Sequence, residues 1–366
     1  MLYRTIAKPV LFRLDPEKAH HVTVDGLGAA ARVPGMTGVL QGLFGVVSKP
    51  ETTVSLCGLT FPNPVGLAAG LDKNAKAVRG FASLGFGFME VGTVTPRPQL
   101  GNEKPRLFRL PSDDALINRM GFNNVGARVM AAHLRQAGAQ RIPVAVNIGK
   151  NKDTPNELAE EDYRICVREL YPYGDFFVVN ISSPNTPGLR NLQHGAELQS
   201  LVAAVKDEMQ QQSAAKKLPL KPVFVKIAPD VTGTELEYMV ETLAASGISG
   251  VIATNTTIGR EGLTHPHAKE TGGLSGKPLT SKSTEVIRTV YRLTGGKLPI
   301  IGSGGIFTAE DAYEKIRAGA SLVEVYTALI YKGPELLREL NDGLLRLLQR
   351  DGYTHISQAV GADAKA

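Results

Sequence analysis

"LPIIGSGGIFTAEDAYEKIRAGASLVEVYT", Leu298 to Thr327, holds a complete strand–loop–helix–strand unit, and its reading sets the fold of the whole chain. Apolar residues lead into Gly302, Gly304 and Gly305, and a helix pattern follows at once. Thr308 is a candidate N-cap, Glu310 and Asp311 suit the first turn, and Lys315 and Arg317 suit the last. Gly319 then permits termination and a turn into "LVEVYT". Both strands are apolar on both parities, the mark of strands covered by helices rather than by water.

The same unit recurs along the chain. Strands are expected at 64–69, 86–94, 142–149, 176–182, 222–228, 250–257, 298–304 and 322–327, and helices at 125–137, 157–171, 195–213, 234–246, 281–293 and 309–318. Eight β-then-α units favour a closed (β/α)8 barrel of the TIM type, with an open doubly wound sheet as the alternative. "TVSLCGLTF", 53–61, reads as a small hairpin before the first barrel strand. The interval 95–124 exceeds a common βα connection, and its "RLFRLP" and "ALINRM" segments suggest an antiparallel addition over the barrel mouth. The expected organisation is a helical extension over 1–50, a barrel over 51–350 and a weakly ordered tail over 351–366.

A chain of 366 residues with 43% apolar content can bury a large core. Its net charge of +6 is mild and does not argue for nucleic acid. Cys57 and Cys166 form no disulfide framework, the seven histidines show no metal-ligand spacing, and a reducing compartment fits best. Residues 1–49 carry six basic residues against three acidic ones, a bias that favours an anionic membrane surface. No run reaches the roughly 18 apolar residues of a membrane-spanning helix, and the N-terminus lacks the pattern of a secretory signal. Leu2, Ile6, Val10 and Leu14 recur every four residues, with Pro9 starting a new helix or kinking one. Such helices either pack as a small subdomain or rest on a membrane.

Polar groups gather at the C-terminal ends of the expected strands: Thr93, Asn147, Asn180 and Ser183, Lys226, then Thr254, Asn255 and Thr256. Barrel topology brings these distant groups to one mouth. Lys226 interrupts the apolar "VFVKIAP", where a covered strand offers little solvent to a charge. "VVNISSPNTPG", Val178 to Gly188, ends a strand in serines, an asparagine and two prolines, and the prolines oppose the helix of an ordinary serine-nucleophile elbow. The glycines after strand seven suit a phosphate, with Tyr326 and Thr327 arriving from strand eight. Neither a P-loop nor a Rossmann fingerprint is present. A planar redox cofactor with one phosphate, FMN, fits this set, with Lys226 near the ring edge that gains negative charge on reduction.

Over nearly 1–350 the sequence resembles the class 2, quinone-linked dihydroorotate dehydrogenases. The resemblance rests on "NPVGLAAGLDKN", "EVGTVTPRPQLGNEKPRLFRL", "INRMGFNN", "NIGKNKDTP", "NISSPNTPGLR", "VKIAPD", "IATNTT", "TGGLSG", "IIGSGGI" and "LVEVYTALIYKGP", in that order. It implies oxidation of (S)-dihydroorotate to orotate in pyrimidine synthesis, one noncovalent FMN per chain, and electron transfer to a membrane quinone. Ser183 is implied as the base that takes the C5 proton while hydride leaves C6 for flavin N5. Implied substrate contacts are Lys73, Asn118, Arg119, Met120, Gly121, Phe122, Asn180, Asn185, Asn255 and Thr256. Implied FMN contacts are Ala69, Gly70, Leu71, Asp72, Lys73, Thr93, Asn147, Asn180, Lys226, Thr254, Gly276, Gly305, Tyr326 and Thr327.

Residues 1–50, with "LDPEKAH" at 14–20, resemble the class 2 extension, whose helices are expected to form an apolar passage from membrane to flavin. His20 either serves that passage or makes an ordinary helix contact. The resemblance implies a monomer held peripherally on a membrane, and the absence of an evident transit segment favours the cytoplasmic face of a bacterial inner membrane over an organellar one. The competing readings are a class 1 enzyme, another FMN barrel with a different substrate, and a nonenzymatic lipid-binding barrel. Serine rather than cysteine at 183, together with the extension, argues against class 1.

Overall fold

The computed structural model describes residues 3–364. Eight parallel strands close into a barrel: β1 (Val65–Leu67), β2 (Phe88–Val94), β3 (Val144–Ile148), β4 (Phe176–Asn180), β5 (Val223–Ile227), β6 (Gly250–Ala253), β7 (Ile300–Ser303) and β8 (Leu322–Val325). Each strand pairs with its neighbours in sequence, and β8 pairs with β1 to close the ring. Every residue of these strands is buried, which is why they read as apolar on both parities. The open-sheet alternative is excluded by the closure. Helices Ala127–Ala137, Ala159–Leu170, Gly195–Lys216, Gly233–Ala245, Thr280–Leu293 and Ala309–Ala318 follow β2 to β7. Thr308 caps the last of these in a capping box with Asp311, as the sequence pattern predicts.

The strands are shorter than their apolar runs because the polar residues at their C-terminal ends leave the ladder. β6 stops at Ala253, so Thr254, Asn255 and Thr256 stand on the loop above it. The hairpin of strands Val54–Leu56 and Leu59–Phe61 forms as expected. Over the mouth, strands Leu107–Leu110 and Ala115–Asn118 pair antiparallel, and Gly273–Gly276 adds a third strand outside the eight expected ones.

At the N-terminus, a short π-turn segment Tyr3–Ala7 leads into α1 (Lys8–Arg13), α2 (Pro16–Ala30) and α3 (Met36–Phe44). Pro9 stands in the first turn of α1, where its missing N–H costs nothing. Asp15 caps α2 by accepting from the Glu17 and Lys18 amides at 3.0 Å each. Gly28 lets α2 approach closely, since a Cβ there would stand 2.7 Å from the Lys76 carbonyl oxygen. Glu17, on the same helix, is buried and paired with Arg106 at 2.7 and 3.1 Å. Burial opposes its ionisation, but the Arg106 bonds outweigh it and hold the carboxyl at about 2. This ion pair fastens the helical extension to the mouth sheet. Leu2 of the four-residue repeat lies outside the described residues.

The weakly ordered tail requires correction. Gly361 and Asp363 donate their amides to the Ile316 and Arg317 carbonyls, and the Asp363 carboxylate pairs with Arg317. Residues up to 364 therefore pack on the helix Ala309–Ala318; 365 and 366 lie outside the described residues.

Candidate active site

A cavity of about 150 Å³ opens at the C-terminal ends of the barrel strands, beneath the mouth sheet. Of the residues expected to meet a ligand there, Ala69, Gly70, Lys73, Thr93, Asn118, Met120, Gly121, Phe122, Asn180, Ser183, Asn185, Lys226, Thr254, Asn255, Thr256, Gly276, Gly305, Tyr326 and Thr327 line it. Four do not. Arg119 turns away to pair with Glu270 at 2.7 Å, because neighbours in an extended segment face opposite ways. Asp72 is buried and caps the turn after it, accepting from the Lys76 and Ala77 amides at 2.8 Å each. Leu71 faces a different, apolar cavity. Asn147 sits behind the wall, where it accepts from Thr93 and donates to Glu90.

The back wall is a single hydrogen-bonded network. Asn180 donates to Thr93 Oγ1 at 2.9 Å and to Asn147 Oδ1 at 3.3 Å. Asn255 donates to Ser182 Oγ at 2.9 Å. Such mutual pairing fixes each amide's orientation before any ligand arrives. Beneath it, Lys226 Nζ contacts Glu90 Oε2 at 2.7 Å and Glu324 Oε2 at 3.4 Å, all three groups buried. Burial works against the Lys226 charge, but the two acidic neighbours outweigh it and raise its pKa.

Lys73 stands at the opposite side, its ammonium donating to the Gly70 carbonyl at 2.8 Å and lying 3.3 Å from Met120 Sδ. Loss of solvent lowers it to about 8, against the pull of Glu17. A half-spent ammonium of this kind is suited to an anionic ligand group. Ser183 is buried at 6% exposure, and its oxygen accepts from the Asn185 amide at 3.2 Å. No histidine or carboxylate among the described residues takes its proton, so the geometry is not that of an acyl-transfer triad. Thr186, three residues on, keeps a buried hydroxyl oxygen without a protein partner.

A phosphate cradle is formed where β7 and β8 end. Gly304 and Gly305 have φ of +122° and +71°, and a Cβ on Gly305 would stand 2.5 Å from the Thr280 nitrogen. Ser283 and Thr280 hydroxyls hold the Gly304 and Gly305 carbonyls at 3.0 and 2.7 Å. The amides of Gly304, Gly305, Tyr326 and Thr327 have no protein acceptor among the described residues. Four unspent backbone donors on one wall fit the phosphate of FMN.

A second cavity, of about 250 Å³, lies between α1–α3 and the barrel. Its wall is mostly apolar, including Leu11, Phe12, Val24, Leu27 and Leu71, with His20 and Arg109 as polar members. Burial, helped by Lys73, holds the His20 imidazole well below its ordinary pKa, so it is neutral at pH 7. Tyr326 lines both cavities and is the wall between them.

A family model described as dihydroorotate dehydrogenase matches residues 51–348. The chain belongs to the dihydroorotate dehydrogenase family. The dihydroorotate dehydrogenase (quinone) of Deinococcus deserti is 54% identical, over 99% of this chain and 100% of the relative. That of Deinococcus radiodurans is also 54% identical, over 98% and 100%. Among solved structures, ligand-free DHODH from Eimeria tenella superposes with a TM-score of 0.87 at 44% identity, covering 95% of this chain and 99% of that one. DHODH from the same organism in complex with ferulenol gives 0.86 at 42% identity, covering 96% of each. The match spans the N-terminal helices as well as the barrel, and with it the chain sits among the quinone-linked members of the family.

The sequence reading passed over Glu90 and Glu324. Each is a charge inside an apolar strand run, "FGFMEVGTV" and "LVEVYT", the same signal that singled out Lys226. Ser275 was also missed; it joins the cradle by accepting from the Thr327 hydroxyl at 2.8 Å.

Proposed function

We propose that this chain oxidises dihydroorotate to orotate in pyrimidine synthesis with one noncovalent FMN and passes the electrons to a membrane quinone. The observation that carries this reading is the pair of cavities, one polar and one apolar, with Tyr326 as their common wall. Bound FMN supplies the hydride acceptor. The amides of Gly304, Gly305, Tyr326 and Thr327 would hold its phosphate, and Lys226 would place positive charge by its ring. Thr93, Asn180 and Thr254 offer the polar contacts along that wall, with Ala69, Gly70 and Gly276 leaving room for close approach.

For the substrate, Lys73 offers an ammonium to the carboxylate, and Asn118, Asn185, Asn255 and Thr256 offer donors and acceptors to the pyrimidine edge. Met120, Gly121 and Phe122 close the cavity over it. Ser183 takes the proton from C5 as hydride departs from C6, leaving a C5–C6 double bond. A neutral hydroxyl is a weak base, so its contribution is largely orientation, with the proton passed onward through Thr186 or water. Arg119, Leu71, Asp72 and Asn147 act through their neighbours rather than on the ligands.

Ile6, Val10, Val22, Val33, Val39, Leu43 and Val47 are exposed on the N-terminal segment, half of the exposed large apolar residues among those described. No described helix is long and apolar enough to cross a membrane. These facts support peripheral attachment through α1–α3, with quinone entering the apolar cavity from lipid. A monomer on the cytoplasmic face of a bacterial inner membrane completes the reading. The test is an anaerobic flavin spectrum during sequential addition of dihydroorotate and a soluble quinone analogue. Bleaching by the first and recovery by the second is expected; a flavin that dihydroorotate leaves oxidised would sink the proposal.

A further inference from the structure

The buried acidic pair beneath the polar cavity is unequally provided for. Glu90 receives three donors: Lys226 Nζ at 2.7 Å, the Ala69 amide at 2.8 Å and the Asn147 side-chain amide. Among the described residues, the only donor to Glu324 is Lys226, at 3.4 Å, a distance at which a hydrogen bond is weak. Its other oxygen, Oε1, is buried and has no partner. Glu324 lines the polar cavity, whereas Glu90 stands behind it.

Two carboxylates around one ammonium leave an uncompensated negative charge among buried groups, which is costly enough that one group takes a proton instead. The three donors on Glu90 favour its ionised form. The proton therefore belongs on Glu324. We propose that Glu324, on the wall of the polar cavity, is held as the neutral acid with its proton turned to the ionised Glu90 carboxylate, so that a flavin there meets one buried cation, Lys226, balanced by one anion. The flavin reading supplies the identity of the occupant; the protonation state follows from the protein groups alone.

Burial first, and then the Glu90 carboxylate, through its charge and a side-chain hydrogen bond, push the Glu324 carboxyl well above its ordinary range, with Lys226 pulling the other way. From the adjoining strands β7 and β1, the residues in register with it are Ser303 and Gly66, neither of which titrates. Lys226 and Glu90 are thus the charged groups that set its state. A neutral acid here leaves one buried anion rather than two against the Lys226 charge, which favours the reduced, electron-rich ring. Ionised, it would do the opposite.

The experiment compares the holoenzyme with Glu324→Gln and Glu90→Gln at neutral pH, by infrared spectroscopy and by denaturant unfolding. A protonated-carboxyl carbonyl band that shifts in heavy water should be present in the wild type and lost in Glu324→Gln. Because glutamine is neutral without taking up a proton, Glu324→Gln should make the fold more stable at neutral pH, by about a hundredfold in the unfolding equilibrium. Glu90→Gln removes the ionised partner of Lys226 and should cost about a hundredfold or more, or prevent folding altogether. No such band in the wild type, its survival in Glu324→Gln, or the reverse order of the two stabilities would overturn the assignment. A third readout gives the sign. A neutral acid in the folded state means proton uptake on folding above about pH 4.5, so wild-type stability should fall by about tenfold per pH unit there relative to Glu324→Gln. A protein isolated without flavin would defeat the functional reading while leaving the band and the two stabilities measurable.

Discussion

The polar and apolar cavities meet at Tyr326 but are built on opposite principles. The polar one is made at the ends of the barrel strands, where ladder pairing fixes the backbone and side chains such as Asn180, Thr93 and Asn147 hold one another. The apolar one lies between the N-terminal helices and the barrel, and non-directional contacts from residues such as Phe12, Leu27 and Leu71 define it. Its placement depends on a few polar ties, chiefly Glu17 to Arg106 and the Arg109 guanidinium to the Leu14 carbonyl at 2.7 Å. Proton and hydride chemistry needs atoms held to fractions of an ångström, which a rigid strand end provides. Admission of a lipid-soluble molecule needs area and access, which packed helices provide.

Perturbing one cavity should therefore leave the other's half-reaction intact. The largest effect belongs to Ser183→Ala, which should slow flavin reduction by dihydroorotate by about 10²–10⁴-fold. FMN retention and reoxidation of chemically reduced flavin by quinone should stay near normal. Anaerobic stopped-flow traces separate the two halves, and near-normal reduction at saturating substrate would remove Ser183 as the base. Next comes Glu17→Gln, which leaves Arg106 buried without its charge partner and should destabilise the fold by about 3 kcal/mol. Among variants that still fold, quinone reoxidation should suffer more than flavin reduction. Equal loss in both halves would deny that the extension serves the apolar cavity. The same ion pair gives a pH signature. The Glu17 carboxyl is depressed, so its contribution to stability is whole above about pH 4.5 and fades as pH falls towards about 2.

A smaller effect follows from Lys73, which loses its proton through about pH 8 in the free enzyme. The KM for dihydroorotate should rise about tenfold per pH unit above that value, with little change in quinone KM. A Lys73→Met variant should bind weakly at every pH and lose this limb; retention of the limb would assign it elsewhere. Smallest in stability are Val10→Asp and Leu43→Asp on the exposed face of the extension. They should shift unfolding by no more than about 0.5 kcal/mol while reducing sedimentation with anionic vesicles. Undiminished vesicle binding would place the membrane contact on another face.

Much of the barrel was legible because a covered strand and an amphipathic helix leave different periods in the sequence. The helix 309–318 was read to the residue because its cap and its glycine stop are local signals. Gly273–Gly276 was not legible as a strand, since its pairing is supplied by Ala115–Asn118, more than 150 residues away. The packed tail was missed for the same reason, its partners being Ile316 and Arg317 on another helix. In the site, Asn118 and Met120 line the cavity and Arg119 between them does not, because a motif names neighbours together while an extended chain turns them apart.

The sequence by itself determined the barrel, its glycine-rich loop after the seventh strand and the polar strand ends, since these follow from local pattern and from the right-handed order in which βα units must close. Only the tertiary structure decided which polar groups share a wall and which carboxyl is left with the fewer donors. It also decided that Tyr326 stands between two cavities. Those facts depend on distances between residues far apart in the chain, and no local period encodes them.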